Sequence, residues 1–262
     1  MLSTSNASHY SSKIIKAGAL LTDSRTFLRR YDPKLSANEN LRRALRGNIF
    51  GKASRSRVQD ILPIFRQRFL DRPKLTKALR ELAEAEVPPE TVDRILYYHA
   101  AKADALLHKF ASDFVYKKKQ AGEAVLLPDD ARRYVVGLAR SEKLSWTPYT
   151  ALRIARGLLA ALRDFRILNG AVRKRIAPVY LPLEAFLYVA FALHIENWSG
   201  EQLIHHDDWR LFLLTRGEVE ALFLEAHRRK WLDYQVAGRL VRMEIRITSP
   251  EELVRAILGR TN

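Results

Sequence analysis

The chain has 262 residues, more than one average domain and enough to bury a large core without cross-links. It contains no cysteine, which excludes disulfides and thiolate zinc sites, and its longest apolar run, 181–195, is interrupted by Pro182 and Glu184 and is too short for a membrane-spanning helix. The net charge of +16 is segregated: +11 over residues 1–74, +1 over 75–144, +6 over 145–180 and −2 over 181–262. Solubility does not need such segregation, whereas binding to a phosphate backbone does.

Residues 1–8 are small and polar and read as a disordered terminus rather than a targeting signal. Residues 12–21 make a mostly apolar first helix. Arg25, Arg29 and Arg30 then surround Phe27 and Leu28, until Asp32-Pro33 interrupts the pattern. Ser36 and Glu39 form a capping box for a helix whose Ala37, Leu41 and Leu45 face one way and whose Arg42, Arg43 and Arg46 face the other. After a stop at 47–53, a second helix opens at Ser54 with the stripe Val58, Ile61, Leu62, Phe65 and Phe69, which Pro63 should kink or restart. Two short amphipathic helices joined by a turn make a helix-turn-helix pattern near 36–69. Lys52, Arg55 and Arg57 stand at the start of its later helix, where free backbone N–H groups favour phosphate.

Residues 73–86 read as a charge-balanced surface helix. Residues 90–119 read as one long helix, the spine of the N-terminal half. His99 and His108 lack the spacing of a ligand pair, and Lys117, Lys118 and Lys119 suit a helix C-terminus as well as a phosphate. Residues 120–128, with a short strand at 125–127, mark the boundary between a domain 1–124 and a domain 125–262.

The second domain begins with a helix from Asp129 with Ala131, Val135 and Leu138 inward, followed by a turn at 141–145. Thr147-Pro148 then caps a helix with Ile154, Leu158, Ala161, Leu162, Phe165 and Leu168 on one arc and Arg153, Arg156, Arg163 and Arg166 on the opposite arc. Asn169-Gly170 breaks it at a tight turn, and a basic flap follows with Arg173, Lys174 and Arg175. A helix that exposes arginines and runs into a basic hairpin is a winged helix-turn-helix pattern over 125–182, and such a helix suits the major groove of duplex DNA. A further module, 183–262, repeats the plan: an all-apolar helix at 183–194, a short helix at 200–206, an apolar anchor at 209–214, an amphipathic helix from 216 or 217 to 231, and alternating strands at 232–247 around Gly238. Its net negative charge points to packing or protein contact.

No phosphate-binding loop, dinucleotide turn, H-E-x-x-H pair or nucleophile elbow occurs. His205, His206, Asp207 and Asp208, with His194 and Asp233, imitate a metal phosphohydrolase ligand order, but a polar loop capping the segment before Trp209 explains them more simply. No metal and no cofactor is therefore expected. Trp146, Trp198, Trp209 and Trp231 match no repeated module and read as core anchors.

The runs YSSKIIKAGALL at 10–21, NIFGKASRSR at 48–57, YYHAAK at 97–102 and WRLFLL at 209–214, with Trp146, Thr150, Arg153-Ile154-Ala155 and Asp164-Phe165, resemble the BrxA family of bacteriophage-exclusion (BREX) defence systems. The resemblance implies a mainly α-helical, non-enzymatic protein with two helix-turn-helix elements; the residues themselves make the second winged-helix-like, add minor β-hairpin content and, without cysteine, suit a cytoplasmic protein. It also implies binding to double-stranded DNA beside a methyltransferase and other BREX proteins. From the residues, duplex phosphates are expected at Arg42, Arg43, Arg46, Lys52, Arg55, Arg57, Arg153, Arg156, Arg163, Arg166, Arg173, Lys174 and Arg175. A winged-helix protein scaffold and an RNA-binding helical protein are the competing readings.

Overall fold

Every side chain from Thr91 to Ala101 is buried, so one helix is surrounded by the rest of the molecule. The computed structural model describes residues 10–237 and 240–259; the stretch 1–8 and Gly238 lie outside the described residues.

The expected first helix over 12–21 is split into α1 (Ile14–Ala17) and α2 (Leu21–Arg30). Gly18 and Leu20 between them take left-handed φ values of 46° and 51°, and the buried Arg68 guanidinium donates to the carbonyls of Gly18 (2.8 Å) and Ala19 (3.0 Å). Carbonyls aimed at Arg68 cannot continue a helical ladder. Helix α3 (Ala37–Arg46) has the predicted capping box, with Glu39 N donating to Ser36 Oγ at 3.2 Å and Ser36 N to Glu39 Oε2 at 3.0 Å. Its buried residues are Asn40 and Ala44, while Leu41 and Leu45 are half-buried on the flank. Helix α4 (Arg55–Phe65) starts at Ser54 as predicted and runs through Pro63 into a π-helical turn, Arg66–Leu70. The Pro63 ring faces solvent, where the missing backbone donor costs least.

After α5 (Pro73–Glu84), the expected long helix over 90–119 is divided at Asp104 into α6 (Pro89–Ala103) and α7 (Ala105–Lys109), followed by a π-helical turn and α8 (Tyr116–Gln120). Asp104 leaves helical geometry (φ −127°, ψ 97°), and its Oδ1 accepts from Leu106 N (3.0 Å) and Leu107 N (3.2 Å), capping a new helix. The later elements are β1 (Val125–Leu126), α9 (Pro128–Ser141), α10 (Pro148–Asp164), β2 (Leu168–Asn169), β3 (Lys174–Ile176), α11 (Leu183–His194), α12 (Gly200–Ile204), α13 (Arg216–Arg228), β4 (Leu232–Ala237), β5 (Leu240–Ile245) and α14 (Pro250–Ile257). The fold is mainly helical, with two small antiparallel sheets ordered β1-β3-β2 and β4-β5. Helix α14 was not expected from the sequence. Ser249 caps it, its Oγ accepting from Glu252 N at 3.1 Å, and the helix buries Leu253, Val254 and Ile257 against α5 and α11.

One apolar core runs from Ile14 to Ile257. Helix α6 lies within it, and its polar side chains reach several surrounding elements, two of them meeting the 207–212 segment. Arg25 of α2 donates to Asp93, Arg94 donates to the Phe165 carbonyl at the end of α10 (3.1 Å), Tyr97 donates to the Leu211 carbonyl (3.0 Å), and Tyr98 donates to Asp208 (3.3 Å). His99 joins the Arg68 carbonyl (2.9 Å) through Nδ1 and the Tyr188 hydroxyl of α11 (2.8 Å) through Nε2.

Burial pushes the His99 imidazole down to about 3, the Arg68 carbonyl only partly opposing it and the charges of Arg72 and Lys102 adding to it. An unfolded histidine protonates near pH 6.5, so in the window between that value and the folded one the unfolded chain holds the extra proton and stability falls with falling pH. Urea unfolding should therefore show a loss on the order of 2 kcal/mol between pH 7 and pH 5 that is absent in His99→Gln. An identical pH slope in wild type and variant would contradict this role.

Candidate nucleic-acid interface

Helix α10 owes its position to both ends. At its start, Thr147 Oγ1 accepts from Thr150 N (3.1 Å) and Pro148 occupies the first helical position. At its finish, Arg166 N donates to Arg163 O (2.8 Å) and Ile167 N to Leu162 O (2.9 Å), the paired bonds of a Schellman turn with Arg166 in the left-handed conformation (φ 59°). Ala151, Ile154, Ala155, Leu158, Leu159, Ala161 and Leu162 are buried, in part against α9, whose Ala131, Val135, Leu138 and Ala139 face inward. Gly157 lets α1 approach: a β-carbon there would stand 3.3 Å from the Ile14 carbonyl.

What remains open to solvent is a stripe at helical spacing: Tyr149, Arg153, Arg156 and Arg163, with half-exposed Ala160 between the last two. Tyr149 is 68% exposed, and the Arg153 guanidinium lies 5.9 Å from its ring centre. Among the described residues, Arg153 and Arg156 have no carboxylate at ion-pair distance, while Arg163 meets Asp164 at 2.6 Å on the open surface. Exposed pairs of that kind are weak and exchange readily.

The hairpin beside α10 consists of β2 and β3, with Leu168 opposite Ile176, and β1 completes the sheet on the other side of β3. Gly170 makes its turn at φ +94°, where a β-carbon would lie 2.2 Å from the Arg173 carbonyl oxygen. Arg173 and Arg175 are exposed, and Val172 at the tip is 79% exposed.

Two of the expected phosphate contacts in this region take other positions than the spacing suggests: Arg166 stays exposed but lies off the helix, and Lys174 is buried. Arg166 lies beyond the end of α10, near Asp93 and Arg94, because the helix stops at Asp164 and the Schellman turn redirects the chain. Lys174 is only 5% exposed, and its ammonium donates to the carbonyls of Gly170 (2.8 Å) and Ala171, closing the hairpin turn from inside.

In the N-terminal region, Arg42, Arg46 and Arg55 are exposed without a carboxylate partner among the described residues, Arg57 is half-buried, and Arg43 meets Asp32 at 3.3 Å. Lys52 is the exception: its ammonium pairs with the nearly buried Asp23 of α2 at 2.8 Å and ties the α3–α4 loop down.

The His205-His206-Asp207-Asp208 segment does not converge on a metal. Among the described residues no group of three or more His, Asp or Glu side chains is gathered to hold one. His206 Nδ1 caps the turn by accepting from Asp208 N (3.1 Å), and Asp233 pairs with Arg246 (2.7 Å) on the β4–β5 hairpin. Asp208 points into the core instead. Burial alone would raise its carboxyl, but His108 (2.7 Å), Lys102 (3.0 Å) and His206 outweigh that and hold it well below the usual carboxylate range.

Fold and surface together define a basic, mainly helical protein that presents an arginine-bearing helix and an adjoining hairpin. The BrxA family model matches residues 8–192, most of the chain, and the chain belongs to the BrxA family of BREX defence systems. The match ends within α11, so α12, α13, β4, β5 and α14 lie beyond it. No curated protein matches the chain. Among the described residues no helix is long and apolar enough to cross a membrane.

Gly170→Ala should deform the hairpin, costing about 1–3 kcal/mol and speeding amide exchange over 168–176 while the core amides of α6 stay protected. Unchanged exchange across the hairpin would show that this turn does not need glycine.

Proposed function

We propose that this protein is a non-enzymatic, cytoplasmic, double-stranded-DNA-binding component of a BREX system, working beside other BREX proteins including the methyltransferase. The observation that carries the reading is the solvent-facing stripe of Arg153, Arg156 and Arg163 on α10, flanked by Arg173 and Arg175 of the hairpin. The order α8, β1, α9, α10, β2, β3, with the sheet order β1-β3-β2, supports a winged helix-turn-helix in which α10 enters the major groove. Guanidiniums on one open face can release counterions together when they meet a phosphate backbone. Arg42, Arg55 and Arg57 on α3 and α4 offer a second, smaller contact of the same kind, with Arg43 and Arg46 on the side of α3 that faces α2 and Lys52 held by its Asp23 partner.

Contact with partner proteins suits the C-terminal module. There α13, followed by the β4–β5 hairpin, turns Gly217, Ala221 and Leu224 outward between the exposed Arg216 and Arg228. Leu224 is 43% exposed.

Titration with a random-sequence duplex at several salt concentrations tests the reading. The triple variant Arg153→Glu, Arg156→Glu and Arg163→Glu should bind at least about tenfold more weakly, with a salt slope lower by about 2–3, while its circular dichroism is unchanged. Equal affinity in the variant would exclude α10 as the contact surface.

A further inference from the structure

A concave site lies between the C-terminal turns of α2 and α3, and no residue of α10 lines it. It is a cleft of about 740 Å³ whose rim carries Arg29, Arg30, Arg43 and Arg46 and whose floor includes Phe27 and Tyr31. Asp32, paired with Arg43, is the one carboxylate at ion-pair distance from these four guanidiniums among the described residues. Arg29 is steadied by its Nε donating to the Ala83 carbonyl (2.7 Å), which leaves its terminal nitrogens uncommitted among the described residues. Arg30 and Arg46 are exposed, with no carboxylate partner among the described residues.

The rim is also rigid. The buried Asn40 side chain donates to the carbonyls of Asp32 (2.9 Å) and Ser36 (3.2 Å) and accepts from Asp32 N (2.8 Å), fixing the loop that follows Tyr31. The Tyr31 ring packs against Phe27 at 6.1 Å between centres, half-buried, so one part of it is held by the core and the rest lines the opening.

Arginines at helix C-terminal turns complement the helix dipole, and that accounts for each of them singly. It does not account for an open cleft with an aromatic floor. A guanidinium fork matches a phosphate bidentately. The volume falls within the range of small-ligand pockets and exceeds what one bare phosphate would fill, and the half-buried Tyr31 ring at the opening offers a planar base a stacking surface.

We propose that this cleft binds a nucleoside monophosphate, with the phosphate held by Arg30 and Arg46 and the base against Tyr31. The ligand is either a free nucleotide or the phosphorylated end of a nucleic-acid strand. The proposal does not depend on duplex binding by α10, since a mononucleotide reads the cleft whether or not that helix meets DNA.

The test is fluorescence anisotropy of the full chain with N-methylanthraniloyl-AMP, and in parallel with a short labelled single strand bearing either a 5′-phosphate or a 5′-hydroxyl. If the source is a free nucleotide, the labelled AMP binds, AMP competes, and adenosine and inorganic phosphate each compete much less well. If the source is a strand end, the 5′-phosphate strand binds more tightly than the 5′-hydroxyl strand. In either case Arg30→Glu weakens binding by about tenfold, and Tyr31→Leu weakens it while leaving competition by inorganic phosphate unchanged. Absence of both signals would overturn the proposal, as would equal binding by wild type, Arg30→Glu and Tyr31→Leu. Competition by inorganic phosphate as strong as that by AMP would remove the base from it.

Discussion

Helix α6 is the constraint on which the remaining structure depends. A helix buried on all sides must satisfy every polar group it carries, because an unpaired buried donor or acceptor costs about 1–3 kcal/mol. Its solution is to commit Asp93 to α2, Arg94 to the end of α10, Tyr97 and Tyr98 both to the segment before α13, and His99 to the Arg68–Tyr188 pair. Each bond fixes an element at a set position around the core. The Arg94 bond to the Phe165 carbonyl bears most directly on the proposed function, since it anchors the C-terminal end of the helix that carries the exposed arginine stripe.

The Asp208 cluster extends the same logic. Its position in the sequence, beside His205, His206 and Asp207, imitates a metal site, but the carboxylate joins Lys102 of α6 and His108 of α7 to the segment ahead of α13. Breaking such a buried pair leaves an uncompensated charge and is strongly destabilising. The cluster is thus structural, and it ties the C-terminal module to the central helix.

Much of this was legible in the sequence where local chemistry decides the outcome. The Ser36–Glu39 capping box, the Thr147-Pro148 start of α10, the apolar run of α11 and the Asn169-Gly170 turn all depend on neighbours within a few residues, and each appears at its expected place. The misses arise where a residue that fits the periodicity takes another backbone conformation or another bonding partner. Helical periodicity continues through Asp104, but its side chain caps a new helix there. Arg166 fits the arginine arc of α10, but a non-glycine residue adopts the left-handed turn that ends the helix. Lys174 reads as one more surface cation until its ammonium is seen bonded to two carbonyls of its own hairpin. In the first arginine cluster, residues that periodicity assigns to one surface are divided: Arg43 and Arg46 line the cleft with α2, and Lys52 is held by Asp23.

The absence of cysteine from the chain makes a direct measurement available. Ala160→Cys places a single thiol between Arg156 and Arg163 on the open stripe of α10, and Ala221→Cys places one at the outward face of α13. Challenged with a duplex carrying a disulfide-activated tether on its backbone, the Ala160→Cys protein should cross-link and the Ala221→Cys protein should not. Cross-linking only through residue 221, or equally through both, would contradict the assignment of α10 as the surface that meets DNA.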